Sequence, residues 1–277
     1  MKRIFFSAAA LLALAPGVRA EPSGKPGRIV SIMPSNTEIL FALGAGDSVI
    51  GVTEFCNFPE EAEEREKVGS FIHPNIEKIV SLHPDLVLAG KWETSNAAPR
   101  LRKVGLRVEE IALPSDLEGI FGSILKIGGL IGRKKEAERL AADLKSRVEN
   151  IRAAARPEPE KPTIYIEVDP PNWTVASKSS INDAVSVLGL KNIFGDIQAS
   201  AAQVSWESVL DRDPDVILLF RPTRDDILKR PGAEKLRAVK LGRVIADVGQ
   251  DKLNRPSPRI VEGMEELAAR LKELGFR

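Results

Sequence analysis

The sequence holds very little thiol or imidazole: one cysteine, Cys56, and two histidines, His73 and His83, in 277 residues. A lone thiol has no intramolecular partner, so disulfides are not the framework and stability must come from a core. A directly held zinc or manganese ion takes three or four His, Cys or carboxylate ligands. This inventory meets that need only if several carboxylates converge. Equipment for acid–base catalysis is equally thin. The chain has no Gly-x-Ser-x-Gly elbow, no Walker loop and no Gly-x-Gly-x-x-Gly after a strand, so an enzyme is not expected. Charge of one sign is missing as well. The 40 Lys and Arg stand against 39 Asp and Glu without a basic run, which argues against nucleic acid as partner. Beyond residue 20, no apolar stretch approaches the length of a membrane span.

What is present starts with a leader. In "MKRIFFSAAALLALAPGVRA", Lys2 and Arg3 form a charged opening, Ile4 to Leu14 an apolar run, and Val18-Arg19-Ala20 a small-x-small cleavage site. These features predict residues 1–20 as a signal peptide cleaved after Ala20. No cysteine lies in or just after it to carry a lipid. The mature chain is thus expected to be exported to the periplasm, without membrane insertion, as a monomer.

The mature chain repeats itself. "NIEKIVSLHPDLVLA" (75–89) aligns with "SWESVLDRDPDVILL" (205–219), pairing Glu77 with Glu207, Pro84 with Pro214 and Asp85 with Asp215. "TEILFALGAG" (37–46) resembles "NDAVSVLGLK" (182–191), and "LRKVGLRV" (101–108) resembles "LRAVKLGRV" (236–244), at offsets of 145 and 135 residues beside the 130 of the first pair. Three blocks in the same order predict two similar α/β lobes, residues 28–115 and 162–277. Short apolar runs alternate with helical patterns in each, as a mostly parallel sheet flanked by helices requires. Between the lobes, residues 116–161 are dominated by helix formers. "RKKEAERLAADLKSRVENIRAAA" (133–155) carries Leu140, Leu144, Val148 and Ile151 as an apolar stripe. Prolines at 157, 159 and 162 stop it. One long helix should therefore brace the lobes around a ligand cleft.

Trp92 and Trp173 fall in loops just past strands, and Phe55 and Phe71 in comparable loops of the first lobe. Aromatics outside any helical or alternating pattern suit a flat apolar ligand, though each could also anchor its own loop. His73, in "GSFIHPN", is either a plain loop residue or an axial ligand to a metal that the bound molecule brings with it. Asn75 and Ser205 fit as N-caps, placing Glu77 and Glu207 in first helical turns, where the helix dipole alone accounts for a carboxylate. "SNTE" (35–38) reads as a capping box of Ser35 with Glu38, and Cys56 as a buried structural thiol.

From Arg28 onward the chain resembles the periplasmic substrate-binding proteins of cobalamin and ferric-siderophore ABC importers. The resemblance rests on "SIMPSNTEILFALGAGDSVIGVTEFCNFPEEA", "KVGSFIHPNIEKIVSLHPDLVLA", "SINDAVSVLGLKNIF" and "SPRIVEGM", and is closest to the cobalamin-binding branch. It implies two lobes bridged by a long helix, with one surface glutamate per lobe docking onto arginines of the permease dimer. Glu77 and Glu207 match those positions. It further implies aromatic contacts to a corrin from Phe55, Phe71, Trp92 and Trp173, with Leu253 where an aromatic is usual. Cobalamin or a cobinamide is then the transported ligand, and the protein has no cofactor of its own. Haem or a ferric siderophore is the alternative, with His73 as axial ligand to haem. A two-lobed α/β enzyme is the remaining one.

Overall fold

The computed structural model describes residues 25–91, 96–155 and 161–276. The leader, Trp92 and most of the proline-rich turn lie outside them. Five short apolar segments form the first sheet: β1 (Ile29–Ser31), β2 (Val49–Val52), β3 (Glu66–Lys67), β4 (Leu86–Lys91) and β5 (Val108–Ala112). They run parallel in the order β3-β2-β1-β4-β5. The order reverses between β1 and β4, so a crevice opens at their carboxyl ends. Only Glu66–Lys67, too short and polar to show a strand pattern, was not legible beforehand.

The second sheet contains β6 (Thr163–Asp169), β7 (Trp173–Val175), β8 (Lys191–Asn192), β9 (Ala201–Gln203), β10 (Val216–Leu219) and β11 (Val244–Ile245). Its order is β11-β10-β6-β7-β9, with β8 also on β6. It is less parallel than expected, because β7 is antiparallel to both β6 and β9. The cause is chain length. Only Pro170 to Asn172 separate β6 from β7, and so short a link permits a hairpin but no crossover.

Two helices connect the sheets, Leu117–Leu130 and Lys134–Ala154. Gly132 makes the corner between them at φ +68°, a conformation that favours glycine. The expected stripe faces inward: Leu144 and Val148 are buried, while Leu140 and Ile151 pack against the same core. That core is continuous. It runs from Ile29 and Leu88 of the first sheet, through Ile124, Leu144 and Val148 of the connecting helices, to Ile166 and Leu218 of the second. Alternate residues face the other way, so Val30 and Val87 build the outer face of the first sheet, and Tyr165 and Ile217 that of the second. Prying the lobes apart would expose this shared surface at about 25 cal/mol per Å², so the frame resists opening.

The sequence repeat has a structural meaning. Asn75 Oδ1 accepts the Lys78 N–H at 3.0 Å, and Ser205 Oγ accepts the Ser208 N–H at 3.1 Å, capping the helices Ile76–Ser81 and Trp206–Arg212. His83 and Asp213, equivalent in the repeat, both sit in the left-handed region at φ 47° and 36° just past those helices. Each Pro-Asp then clamps the start of the lobe's first strand. Asp85 accepts the amides of Gly27 and Arg28 at 3.0 Å, and Asp215 accepts that of Thr163 at 2.8 Å.

Candidate functional site

Strands that run parallel deliver their following loops to one edge, where side chains are free to vary. After β2 the chain turns through Thr53–Phe58, and after β3 through Gly69–Asn75. Phe55 and Phe71 meet there edge to face, with ring centroids 5.6 Å apart. Phe55 is 50% exposed and Ile72 54%. Half-exposed apolar groups gathered around an aromatic pair make a patch that a ligand or partner can cover. The loop is held by glycine geometry. Gly69 lies at φ +87°, and a Cβ there would sit 2.8 Å from the His73 carbonyl oxygen and 3.0 Å from the Asn75 nitrogen. His73 itself is exposed; its amide donates to Ser70 Oγ at 2.9 Å.

In the second lobe Trp173 pairs with Asp169 at the carboxyl end of β6 and is 42% exposed. Beside it, Arg221 at the end of β10 forms an ion pair with Asp169 at 3.3 Å. Trp92 lies outside the described residues. Leu253 does not join this rim. The helix Gln250–Asn254 turns it inward until it is fully buried, packed so closely on Gly263 that a Cβ there would come within 2.8 Å of Leu253 Cγ. Its place is in the core, because a five-residue helix with one large apolar side chain buries that side first.

The helix Pro34–Ala42 begins after Met33 with no side-chain cap, so Ser35 and Glu38 do not form a capping box. Glu38 instead points across the molecule. Its carboxylate accepts Arg259 Nη2 at 2.6 Å and Nε at 3.0 Å, Arg255 Nη1 at 2.9 Å, and Ser257 Oγ at 2.5 Å. Burial works against the Arg259 cation, yet bonding to Glu38 raises its pKa above the ordinary guanidinium value. Arg255 also donates to Asn57 Oδ1 at 2.6 Å and to the Phe55 carbonyl at 3.1 Å, while Asn57 donates to Asp251 at 3.0 Å. The Arg259 guanidinium stacks 3.8 Å from the centre of the Phe58 ring. The loop that presents Phe55 is thus tied to the second lobe by a buried ionic cluster. No local signal links residue 38 with 255–259. Both lie in conspicuous stretches, but only folding pairs them.

Cys56, beside Phe55, is buried between Thr37 Oγ1 at 3.2 Å and Thr53 Oγ1 at 3.1 Å. Glu77 and Glu207 are exposed on their capped helices, one on each lobe. Among the described residues no three His, Cys, Asp or Glu converge as a metal site, and no helix is long and apolar enough to cross a membrane. A cavity of about 690 Å³ lies elsewhere, between Ile151, Ala155, Pro162, Leu188 and Phe276. Pro162 immediately precedes β6, so this hollow is at the amino ends of the strands, where sheets of this kind do not place ligands.

Known proteins share this fold. The family profile described as periplasmic binding protein matches residues 29–249. An uncharacterized ABC transporter substrate-binding lipoprotein of Bacillus subtilis, YvrC, is 36% identical over 252 residues, covering 88% of this chain and 79% of its own. A vitamin B12-binding protein of Vibrio cholerae is 30% identical over 269 residues, covering 96% of each chain. Among solved structures, a periplasmic haem-binding protein of Roseiflexus sp. RS-1 superimposes with a TM-score of 0.80 at 25% identity, covering 89% of this chain and 98% of that one.

Proposed function

The chain belongs to the periplasmic binding protein family, and on that premise we propose that it captures a corrinoid between its lobes and hands it to an ABC importer. The observation that carries this reading is the pair of exposed aromatic rims at the carboxyl ends of two braced sheets, Phe55 with Phe71 on one and Trp173 on the other. A corrin is flat, broad and largely apolar on its faces. Ring edges and faces from two sides remove that surface from water while leaving its amide periphery solvated. Trp92, which follows β4 in the sequence, is proposed as a further contact to the same ligand. The Vibrio cholerae relative, named for vitamin B12 and matched over nearly its whole length, supports this ligand class.

Glu77 and Glu207 are the docking contacts in this reading. Each stands exposed in the first turn of a capped helix, at equivalent points of a pseudo-twofold molecule, and a dimeric permease presents a twofold surface. Basic groups on that surface would steer the binding protein into register. The mature protein acts in the periplasm as a monomer after removal of residues 1–20, and performs no catalysis. Haem is the second reading, favoured by exposed His73 beside the Phe55–Phe71 pair and by the Roseiflexus neighbour.

Calorimetric titration of purified protein with cyanocobalamin, dicyanocobinamide and haemin separates the two. A corrinoid is expected to bind at micromolar concentration or below. Haemin binding without corrinoid binding refutes the proposal. For docking, the Glu77→Lys/Glu207→Lys protein should leave corrinoid affinity unchanged and no longer stimulate permease ATP hydrolysis. Full stimulation would return the two glutamates to a helix-dipole role.

A further inference from the structure

In the first lobe the cleft and the docking helix are neighbours in sequence: Phe71 precedes Glu77 by six residues. In the second lobe Trp173 and Glu207 are 34 residues apart, so something other than chain continuity must hold them in register. Glu167 lies at the carboxyl end of β6 and is completely buried. Arg230 meets it with both arms of its fork, Nη1 to Oε2 at 2.7 Å and Nη2 to Oε1 at 2.8 Å. Such bidentate pairs fix geometry as well as charge. The Tyr165 hydroxyl donates to the same carboxylate at 3.0 Å.

The pair reaches in two directions. Toward the cleft, Arg230 Nη1 donates to Asn172 Oδ1 at 2.7 Å, while the Asn172 amide donates to Glu167 Oε1 at 3.0 Å. Asn172 sits at φ 58°, a left-handed conformation that asparagine tolerates better than most residues, and it immediately precedes Trp173. Toward the docking face, the Arg230 guanidinium lies 4.9 Å from the centre of the Trp206 ring. Trp206 is the residue before Glu207, and its Nε1 donates to the Pro231 carbonyl at 2.8 Å. The backbone reinforces the link, since Trp173 pairs with Gln203 and the Val204 amide donates to the Asn172 carbonyl at 3.1 Å.

We propose that Arg230 is a positioning residue that clamps the Trp173 edge of the cleft and the Glu207 docking helix into one rigid piece. The roles of Trp173 and Glu207 rest on the functional reading above; the clamp itself does not. Two consequences follow from the geometry. Loss of Arg230 releases Asn172 and turns Trp173 away from the ligand, weakening binding. It also frees Trp206, so docking suffers even when ligand is saturating.

The test uses full-length protein labelled with 5-fluorotryptophan, which gives one fluorine resonance each for Trp92, Trp173 and Trp206. Arg230→Met alone strands a buried carboxylate and risks unfolding. The paired variant Arg230→Met/Glu167→Gln removes both charges and keeps the packing volume. In that variant the Trp173 and Trp206 resonances should both shift or broaden, while Trp92, in the other lobe, stays in place. Cyanocobalamin affinity should fall about tenfold. At saturating cyanocobalamin, the concentration of binding protein giving half-maximal permease ATPase should rise about tenfold as well. A Trp173 resonance unchanged from the wild type overturns the clamp, as does a wild-type half-maximal concentration. Wild-type protein that binds no cyanocobalamin overturns the functional reading instead, and the fluorine spectra then judge the clamp alone.

Discussion

Replacing Glu38 by Gln keeps the side-chain volume and one acceptor oxygen but removes the charge between Arg255 and Arg259. The Glu38 side chain is 2% exposed and its two arginine partners 15% and 11%, so solvent does little to screen the loss. Breaking a buried ion pair from one side costs about 3–5 kcal/mol, because the remaining charge is left without a partner. Here the arginines keep some company. Arg255 retains Asp251 at 3.1 Å and Asn57, and Arg259 retains the Phe58 ring. The cost should therefore fall near the lower end, about 3 kcal/mol. For a chain of this size that lowers the melting temperature by roughly 6–12 °C. Calorimetry and guanidinium titration followed by circular dichroism measure it. A double-mutant cycle with Arg259→Met gives the sharper readout. Residues in one ionic network should couple by about 0.5–3 kcal/mol, whereas independent sites add to within about 0.5 kcal/mol. Additive behaviour would mean that Glu38 serves its own helix after all, and would refute the interlobe latch.

Three further outcomes are expected. Gly69→Ala forces a Cβ against the His73 carbonyl at positive φ, which should cost about 1–3 kcal/mol and weaken cyanocobalamin binding; an unchanged melting temperature would contradict the strain argument. Trp173→Ala should lower cyanocobalamin affinity about tenfold or more in a titration, and unaltered affinity would remove Trp173 from the cleft. The third concerns pH. Hydrogen bonding to Arg147 holds the Glu265 carboxyl below its ordinary value of 4.5. The unfolded chain therefore takes up this proton first, so the contribution is present above about pH 4.5 and is lost as the pH falls through the depressed folded-state value. Glu265→Gln should flatten the acid limb of melting temperature against pH. Because Glu265 is 45% exposed, its effect near neutrality should stay below about 1 kcal/mol; an unaltered acid limb would contradict the assignment.

Much of the architecture is local and so could be read along the chain. Apolar runs such as "DLVLAG" and "DVILLF", short and closed by turn residues, fit buried strands and form β4 and β10. The stripe from Leu140 to Ile151 has helical spacing, and Asn75 and Ser205 cap helices within three residues of themselves. The twofold repeat, the connecting helix and the matched positions of Glu77 and Glu207 all follow from residue order. Periodicity and capping act over a few residues, which is why they survive in the one-dimensional record.

What folding alone decided involves partners far apart in the chain. Glu38 looked like a capping residue because Ser35 stood three positions before it, but a buried carboxylate is governed by the cations it can reach. The nearest were on residues 255 and 259. Leu253 stood where a cleft residue was expected, yet the short helix carrying it turned its only large apolar side chain to the core. The Arg230 clamp and the single core shared by both lobes likewise arose from packing. Sequence by itself determined that there would be two α/β lobes with matching capped helices. Tertiary structure decided how the lobes are locked, because burial and charge pairing depend on neighbours in space rather than along the chain.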